Sequence, residues 1–461
     1  MSLANVTAAP WRPVSSSADV GGKPLPVRVG DEPVVLFRDG AGVVRALEDR
    51  CPHRRAPLSL GRVTEEGTLQ CGYHGWCWDG ASGLCARIPN LRSDERVPPG
   101  FVVRAYATEE RDGEVFVRVD GNGAPVGAAS EDLGKWRPGS FALRDAWFPV
   151  AHTPHVGARP ILRQVHRQPY WLWRDGARIR ATEFPPDELA AKRSQATELS
   201  DGTGEYPTIE RYGYAWVWYG NPKNARAELM PDIPHLPREG KLPRHMWGSF
   251  TFHCTYELTC ENLLDLTHTD FVHKGLIGDS LGQDDEISVE STSETVTMVR
   301  ENKGRRTGLA QKFIATSSAR QDFRGVTFIH LRSGVTILHG KYTPGLSVRL
   351  FHPNTPASRE ETSLNFTFNP RGANWVARNL FPLISPFVAR QDDRMLAAQN
   401  PRYLEGSDRA DFSSRFDAAA LAYRKRMKQL VERQRRGDFS YQSDCDPGAD
   451  IAKIIGVERE A

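Results

Sequence analysis

Asp49-Arg50-Cys51-Pro52-His53-Arg54-Arg55 and, after a gap of seventeen residues from His53, Cys71-Gly72-Tyr73-His74-Gly75-Trp76 decide how this chain is read. Each loop offers one thiolate and one imidazole. Two soft thiolates on one iron and two neutral imidazoles on the other are the ligands of a mixed-ligand [2Fe–2S] cluster. That arrangement raises its potential above an all-cysteine one. A tetrahedral zinc ion takes the same residue types. Zinc pairs usually come as Cys-x2-Cys followed by His-x3–5-His, however, and neither half of that order is present. The flanks agree with iron, because Trp76 can shield a cluster and Gly75 lets the loop approach it. Cys51, His53, Cys71 and His74 are therefore the candidate cluster ligands, set in an all-β N-terminal domain.

The rest of the composition sets bounds. A length of 461 residues predicts about three domains. A net charge of +3 gives no nucleic-acid surface, although a slightly basic chain suits an acidic electron carrier. The seven cysteines (Cys51, Cys71, Cys77, Cys85, Cys254, Cys260 and Cys445) are too few for a disulfide scaffold, and two are committed to iron. Such usage predicts a reducing, cytoplasmic location. Cys77 and Cys85 are expected to be packing residues rather than a pair. Met1-Ser2-Leu3-Ala4-Asn5 has neither a basic start nor an apolar core, so no export signal is expected. The apolar stretch from Trp375 to Ala389 is interrupted by Arg378, Pro382 and Pro386. It is too short to span a bilayer and predicts a buried helix pair or a flap over a pocket.

A second metal site is written in residues 261–273, Glu-Asn-Leu-Leu-Asp-Leu-Thr-His-Thr-Asp-Phe-Val-His. Asn262, Asp265, His268 and His273 stand in the spacing N-x2-D-x2-H-x4-H, and a helix over 257–275 is the natural host. Asp265 and His268 share a helical face. His268 and His273 lie about 140° apart around an ideal helix, so they converge only if the helix bulges or ends between them. Gly275 and Gly278 offer such an ending. Two imidazoles and a carboxylate would form a facial triad that leaves positions on Fe(II) open for dioxygen. The carboxylate is expected downstream, in Gln391-Asp392-Asp393-Arg394-Met395-Leu396-Ala397-Ala398-Gln399, where either aspartate could ligate. Asp270, turned away from His268 on a helix, ranks lower.

Together these sites resemble the catalytic subunit of Rieske non-haem iron oxygenases. The resemblance rests on Asp49 to Arg54, on Tyr73-His74-Gly75-Trp76 and on the motif from Asn262 to His273. It implies a Rieske [2Fe–2S] cluster, a mononuclear non-haem Fe(II), and NAD(P)H electrons arriving through a partner reductase or ferredoxin. The acidic segment resembles the family's acidic helix. Aligned on Gln391 and Gln399, the ligand falls on Asp392, and a one-residue slip would give Asp393. Ala397 replaces a glutamate frequent there. The family would also make Asp265 a bridge between the metals, hydrogen-bonded to His74 of a neighbouring subunit and to an iron-ligating histidine. A buried carboxylate in that place would orient both imidazoles. A homo-oligomer, with a trimer favoured, is implied as well.

The chain also echoes itself. Trp11-Arg12-Pro13-Val14 recurs as Trp147-Phe148-Pro149-Val150, and Leu36-Phe37-Arg38-Asp39-Gly40 recurs at the same offset as Leu172-Trp173-Arg174-Asp175-Gly176. Tyr106 to Val117 is echoed by Tyr212 to Gly220. Asp187 falls where the offset would place Cys51, and no cysteine occurs between Cys85 and Cys254. The cluster loops are shortened there to the stretches around Pro185-Pro186-Asp187 and Asp201-Gly202. Residues 140–222 thus read as a Rieske-like domain without cluster ligands. This departs from the plan that the resemblance implies, one Rieske domain followed by one catalytic domain, in trimers where the cluster of one subunit reduces the iron of its neighbour. It makes delivery within one chain conceivable.

The expected fold class is α+β. Residues 1–135 form the Rieske domain, 140–222 its degenerate β copy, and 240–461 a helix-plus-antiparallel-sheet catalytic domain. Strands are expected from 286 to 370, helices at 373–400 and 414–436, the last being a solvated closing helix. The functional reading is an oxygenase that uses dioxygen to hydroxylate or oxidatively demethylate an apolar, aromatic or polycyclic small molecule, with oxidative cyclisation or desaturation as alternatives. Pocket walls are expected from 276–370, with His330 and His339 structural. An electron carrier would need no second iron, and a zinc hydrolase would need no cluster.

Overall fold

The computed structural model describes residues 10–92, 94–119, 139–240, 246–273, 285–307, 312, 315–404, 411–442, 444 and 451–459. The chain divides into two compact units. One comprises residues 1–132, 267–283 and 401–414, the other 133–266, 284–400 and 415–461.

The first unit is built on strands β1 (Arg12–Ser16), β2 (Leu25–Val29), β3 (Glu32–Arg38), β4 (Val44–Glu48), β5 (Arg62–Val63), β6 (Leu69–Gln70), β7 (Cys77–Trp78), β8 (Cys85–Arg87), β9 (Ala105–Arg111) and β10 (Glu114–Arg118). Six of them form a sheet in the order β1-β10-β9-β4-β3-β2, and β5 to β8 form a small meander inserted between β4 and β9. Alternation decides which side chains turn inward, as Val115 and Val117 do in β10. They join Val20, Val29, Val34, Leu36 and Ala46 in one apolar core.

The second unit begins with β11 (Ala146–His152), β12 (Ile161–Val165), β13 (Gln168–Asp175), β14 (Arg178–Thr182), β15 (Thr208–Arg211) and β16 (Tyr214–Tyr219). They pair as β11-β16-β15 and β12-β13-β14. The register repeats that of the first unit at the offset seen in the sequence. Leu25 faces Leu36 and Val29 faces Glu32, and Ile161 faces Leu172 and Val165 faces Gln168. The edge strands even share a bulge, between Pro13 and Ser15 in β1 and between Pro149 and Ala151 in β11. Such a bulge bends a strand and leaves one residue unpaired.

The same unit continues into a seven-stranded antiparallel sheet, as the sequence predicts. Its strands are β17 (Met246–Phe252), β18 (Glu286–Ser291), β19 (Thr295–Arg306), β20 (Arg320–His330), β21 (Val335–Thr343), β22 (Ser347–Pro356) and β23 (Thr362–Arg371), in the order β17-β23-β22-β21-β20-β19-β18. Trp147, Tyr214, Trp216 and Trp218 bury their rings against Val326, Phe328, Ile337 and Phe351 of this sheet. Each such ring removes enough apolar surface from water to contribute about 1.5–3 kcal/mol.

Three expectations about helices need correction. The helix expected over 257–275 is broken: α2 (Tyr256–Leu264), after the short α1 (Leu189–Lys192), stops at Asp265, whose backbone leaves the helical region at φ −116°, ψ 87°. A short 3-10 turn and α3 (Thr269–Val272) follow. The break lies before both histidines, not between them, and Gly275 and Gly278 fall outside the described residues. The second correction concerns Trp375 to Ala389, which opens a single thirty-residue helix, α4 (Trp375–Leu404). Prolines kink a long helix as readily as they end it. The third is α5 (Ala418–Arg435), which is not simply solvated. It buries Tyr423, Met427, Leu430 and Val431, a stripe at helical spacing that the surrounding Lys and Arg obscure. Its Arg424 grips Glu261 of α2 through two bonds of 2.7 Å.

Candidate metal centres

The two ligand loops of the first unit are built alike. Cys51 N–H donates to Ala56 O and Arg55 N–H to Cys51 O, while Cys71 N–H donates to Trp76 O and Gly75 N–H to Cys71 O. In each loop the residue four beyond the cysteine adopts a left-handed conformation, Arg55 at φ 61° and Gly75 at φ 70°. Glycine takes that conformation freely, whereas arginine carries a strain on the order of 1 kcal/mol. Arg55 is held by Asp411, whose Oδ1 lies 2.8 Å from Nε. Beside it Phe412 N–H donates to Pro52 O at 2.9 Å. The first loop is thereby seated on residues just beyond α4.

The cup between the loops fits a cluster. Cys51, His53, Cys71 and His74 are all buried, and the two imidazole centroids are 4.7 Å apart. The thiols of Cys51 and Cys71 hydrogen-bond each other, and burial pushes that of Cys51 up. The bond from Cys51 holds the Cys71 thiol down, so the site brings two thiols together and favours the thiolate of one, the form in which cysteine holds a metal. His53 stacks on Trp76 at 4.2 Å and 7°. Trp76 stacks on Phe101 and Phe101 on Phe412 at 4.3 Å, which walls the cup off from water. The sequence pointed to Trp76. Phe101 and Phe412 carry no local signal and become visible only in the fold. Cys77 and Cys85 are free and buried, as expected of packing residues.

His268 and His273 are also buried in the first unit, with centroids 5.4 Å apart. The chain break at Asp265 and the position of His273 as C-cap of α3 bring them together. Two imidazoles so close offer two of the three donors of a facial triad for divalent iron. His268 also lies 6.5 Å from His74 and 5.9 Å from Tyr73, centroid to centroid.

Asp265, Asp392 and Asp393 belong to the second unit. Asp265 is buried at the C-terminus of α2, where its N–H reaches Asn262 O. On α4, Asp393 is engaged by His253, its Oδ1 accepting from the backbone N–H at 2.7 Å and its Oδ2 lying 2.9 Å from Nδ1. Asp392, about 100° around the helix, acts by its charge on His352. Burial lowers that imidazole to about 4, and Asp392 opposes the shift. The His253 clamp was not legible beforehand, since histidine and aspartate lie far apart in the chain.

His330 and His339 are structural. His330 Nδ1 lies 2.8 Å from Ser333 Oγ, and His339 sits between Ile455 O and Ser347 Oγ. A cavity of about 620 Å³ is lined by Leu162, Arg163, Ser249, Thr251, Ser363 and Asn365 among others, and by none of the candidate ligands. No described helix is long and apolar enough to cross a membrane.

Comparison with known proteins bears on both ends of the chain. Residues 10–107 match the Rieske [2Fe-2S] domain family, and residues 252–433 match the vanillate O-demethylase oxygenase C-terminal domain family. The chain is 42% identical over 123 residues to a putative toluene-4-sulfonate monooxygenase system iron-sulfur subunit of Comamonas testosteroni, covering 27% of this chain and 33% of that protein. It is 40% identical over 108 residues to the vanillate O-demethylase oxygenase subunit of a Pseudomonas species, covering 23% and 28%. Against chloroplastic TIC 55 of Arabidopsis thaliana the match is 40% over 108 residues, covering 23% and 20%. The matches thus span between a fifth and a third of these relatives' own length. Among solved structures, dicamba monooxygenase bound to 3,6-dichlorosalicylic acid is 19% identical, with 93% of this chain and 98% of that chain covered and a TM-score of 0.44.

Proposed function

We propose, on the premise that the chain belongs to the Rieske non-haem iron oxygenases, that it is the subunit in which substrate is oxidised. In this reading Cys51, His53, Cys71 and His74 hold the [2Fe–2S] cluster. His268, His273 and Asp392 hold a mononuclear iron. The observation that carries it is the presence of two buried donor sets of different chemistry, thiolates with imidazoles and an imidazole pair. A carrier would need only the first and a hydrolase only the second. The choice of Asp392 over Asp393 is supported by the clamp on His253, which occupies both oxygens of Asp393.

When bound, the two metals would supply one-electron transfer and activation of dioxygen. The chain's own residues do the rest. The stacked Trp76, Phe101 and Phe412 keep water from His53. Asp49 accepts from Ser59 N–H and hydroxyl at 2.7 and 2.8 Å, which fixes the approach to the first loop. Asp265, by its place in the motif, is the bridging carboxylate that orients an imidazole at each metal. Electrons come from a reductase or ferredoxin, the substrate is a small apolar or aromatic molecule that is hydroxylated or demethylated, and the protein is a homo-oligomer. The six described cysteines, all free, support a reducing compartment such as the cytoplasm. Residues 140–222 are a cluster-less copy of the Rieske frame, a reading supported by the shared register and bulge.

The test is oxygen uptake by the iron-loaded protein with NADH, a flavin reductase and a panel of vanillate, toluene-4-sulfonate and 3-chlorobenzoate. Substrate-stimulated uptake that disappears in Asp265→Ala, with the cluster spectrum retained, is expected. Uptake by that variant close to wild type would contradict the bridge. A protein that reduces ferricyanide but binds no mononuclear iron would be an electron carrier.

A further inference from the structure

We infer that the cavity lined by β12, β17, β22 and β23 is a binding site for a small organic monocarboxylate, held by Arg163 and the hydroxyls of Thr251 and Ser363. The inference goes beyond the oxygenase reading and does not rest on it. The cavity lies wholly within the second unit, and no candidate metal ligand lines it.

Charge is the first observation. The fully buried arginines of this unit are each paired with a carboxylate: Arg332 with Glu294, Arg424 with Glu261 and Arg300 with Asp285. Arg163 is half-buried in the cavity wall, and no described carboxylate pairs with it. Its Nη1 donates to Leu162 O at 2.8 Å, which restrains the guanidinium and leaves Nε and Nη2 unengaged. Burial pushes its pKa down with no neighbouring anion to oppose the shift, yet an arginine stays charged at neutral pH. A cation partly removed from water without a counter-charge carries a cost that an incoming anion offsets.

The second observation is a row of hydroxyls. Thr251, Ser363 and Thr355 stand opposite one another across β17, β23 and β22, so their side chains share one face of the sheet. Thr355 donates to Pro149 O at 2.9 Å. The hydroxyls of Thr251 and Ser363 have no partner among the described residues. A guanidinium edge and free hydroxyls lining one space form a donor set for a carboxylate, whose two oxygens accept from Nε and Nη2 side by side.

Glu361, exposed on the turn between β22 and β23, lines the same cavity and sets a limit on charge. It repels a second negative group, which disfavours phosphate and dicarboxylates. Leu162 and Phe250 supply apolar wall for the remainder of the ligand. A volume of about 620 Å³ is that of a small-molecule pocket.

The test is isothermal titration calorimetry of the iron-loaded protein with benzoate, benzamide and isophthalate. Benzoate is expected to bind saturably, more tightly than the neutral amide or the dianion. Arg163→Gln should weaken benzoate about tenfold or more, and Thr251→Val severalfold. Arg163→Lys, which keeps the charge without the fork, should fall between wild type and Arg163→Gln, and it decides the matter should the glutamine variant misfold. Glu361→Gln should tighten isophthalate. Absence of saturable benzoate binding to wild type would overturn the inference. So would equal affinity in the Arg163 variants, which would place benzoate at another site, or equal affinity for benzamide.

Discussion

Residues 12–118 and 146–219 share one pattern of strand pairing and register, and only the first holds the candidate cluster ligands. Their strands share order and register, and their cores match position for position: Val20 with Val156, Val29 with Val165, Leu36 with Leu172. Where they diverge is the connection between the fourth and fifth frame strands. In the first copy it holds the β5–β8 meander and both ligand loops. In the second it is short, and Glu183 closes it by accepting from Thr197 N–H at 2.9 Å, from the Thr197 hydroxyl and from Gln168. The two regions thus pair their strands alike, and only the first carries the inserted meander. The cluster depends on the insert. A buried carboxylate satisfied by three hydrogen bonds offers a metal-free way to fasten the same connection.

The largest expected effect breaks the symmetry at equivalent positions. Cys51→Ser should remove the cluster absorbance entirely, while Asp187→Ser, at the offset position of the second copy, should leave it unchanged. Loss of absorbance in both would mean that the second copy takes part in cluster binding. Next comes Glu183→Ala, which removes three hydrogen bonds to a buried carboxylate and should cost about 1.5–3 kcal/mol in stability by urea unfolding. The reduced cluster signal should stay intact. A smaller effect depends on acid. Burial lowers His152 to about 4, so the unfolded chain takes up a proton first. The stabilisation is complete above about pH 6.5 and is lost as the pH falls toward 4. Its counterpart by offset is Ser16, which does not titrate. His152→Gln should therefore flatten the acid limb of the stability profile, and an unchanged limb would assign the proton uptake elsewhere. The smallest effect is that of Tyr170→Phe. It deletes a bond to Trp218 O that Val34, the equivalent residue of the first copy, never makes. The expected loss is about 1 kcal/mol.

Much of this was written locally. The ligand loops, the histidine pair and the repeat could be read because each depends on residues a few places apart or on a fixed offset. The antiparallel sheet followed from alternation. What escaped the sequence depends on distant segments meeting. The break at Asp265 sits among residues of low helix propensity (Asn262, Asp265, Thr267 and His268), a signal that the spacing of the apolar residues overrode in the sequence reading. Phe412 meets Phe101, and His253 meets Asp393, across separations that no spacing rule reaches. The buried stripe of α5 was present in the sequence and lost among its charges.

The central claim is that two different iron sites share this chain. It is tested most directly by counting iron while recording EPR of the dithionite-reduced protein. The account predicts about three irons per chain with a rhombic Rieske signal, falling by one in Asp392→Ala but not in Asp393→Ala. Two irons per chain with the same Rieske signal, however carefully the protein is loaded, would contradict it.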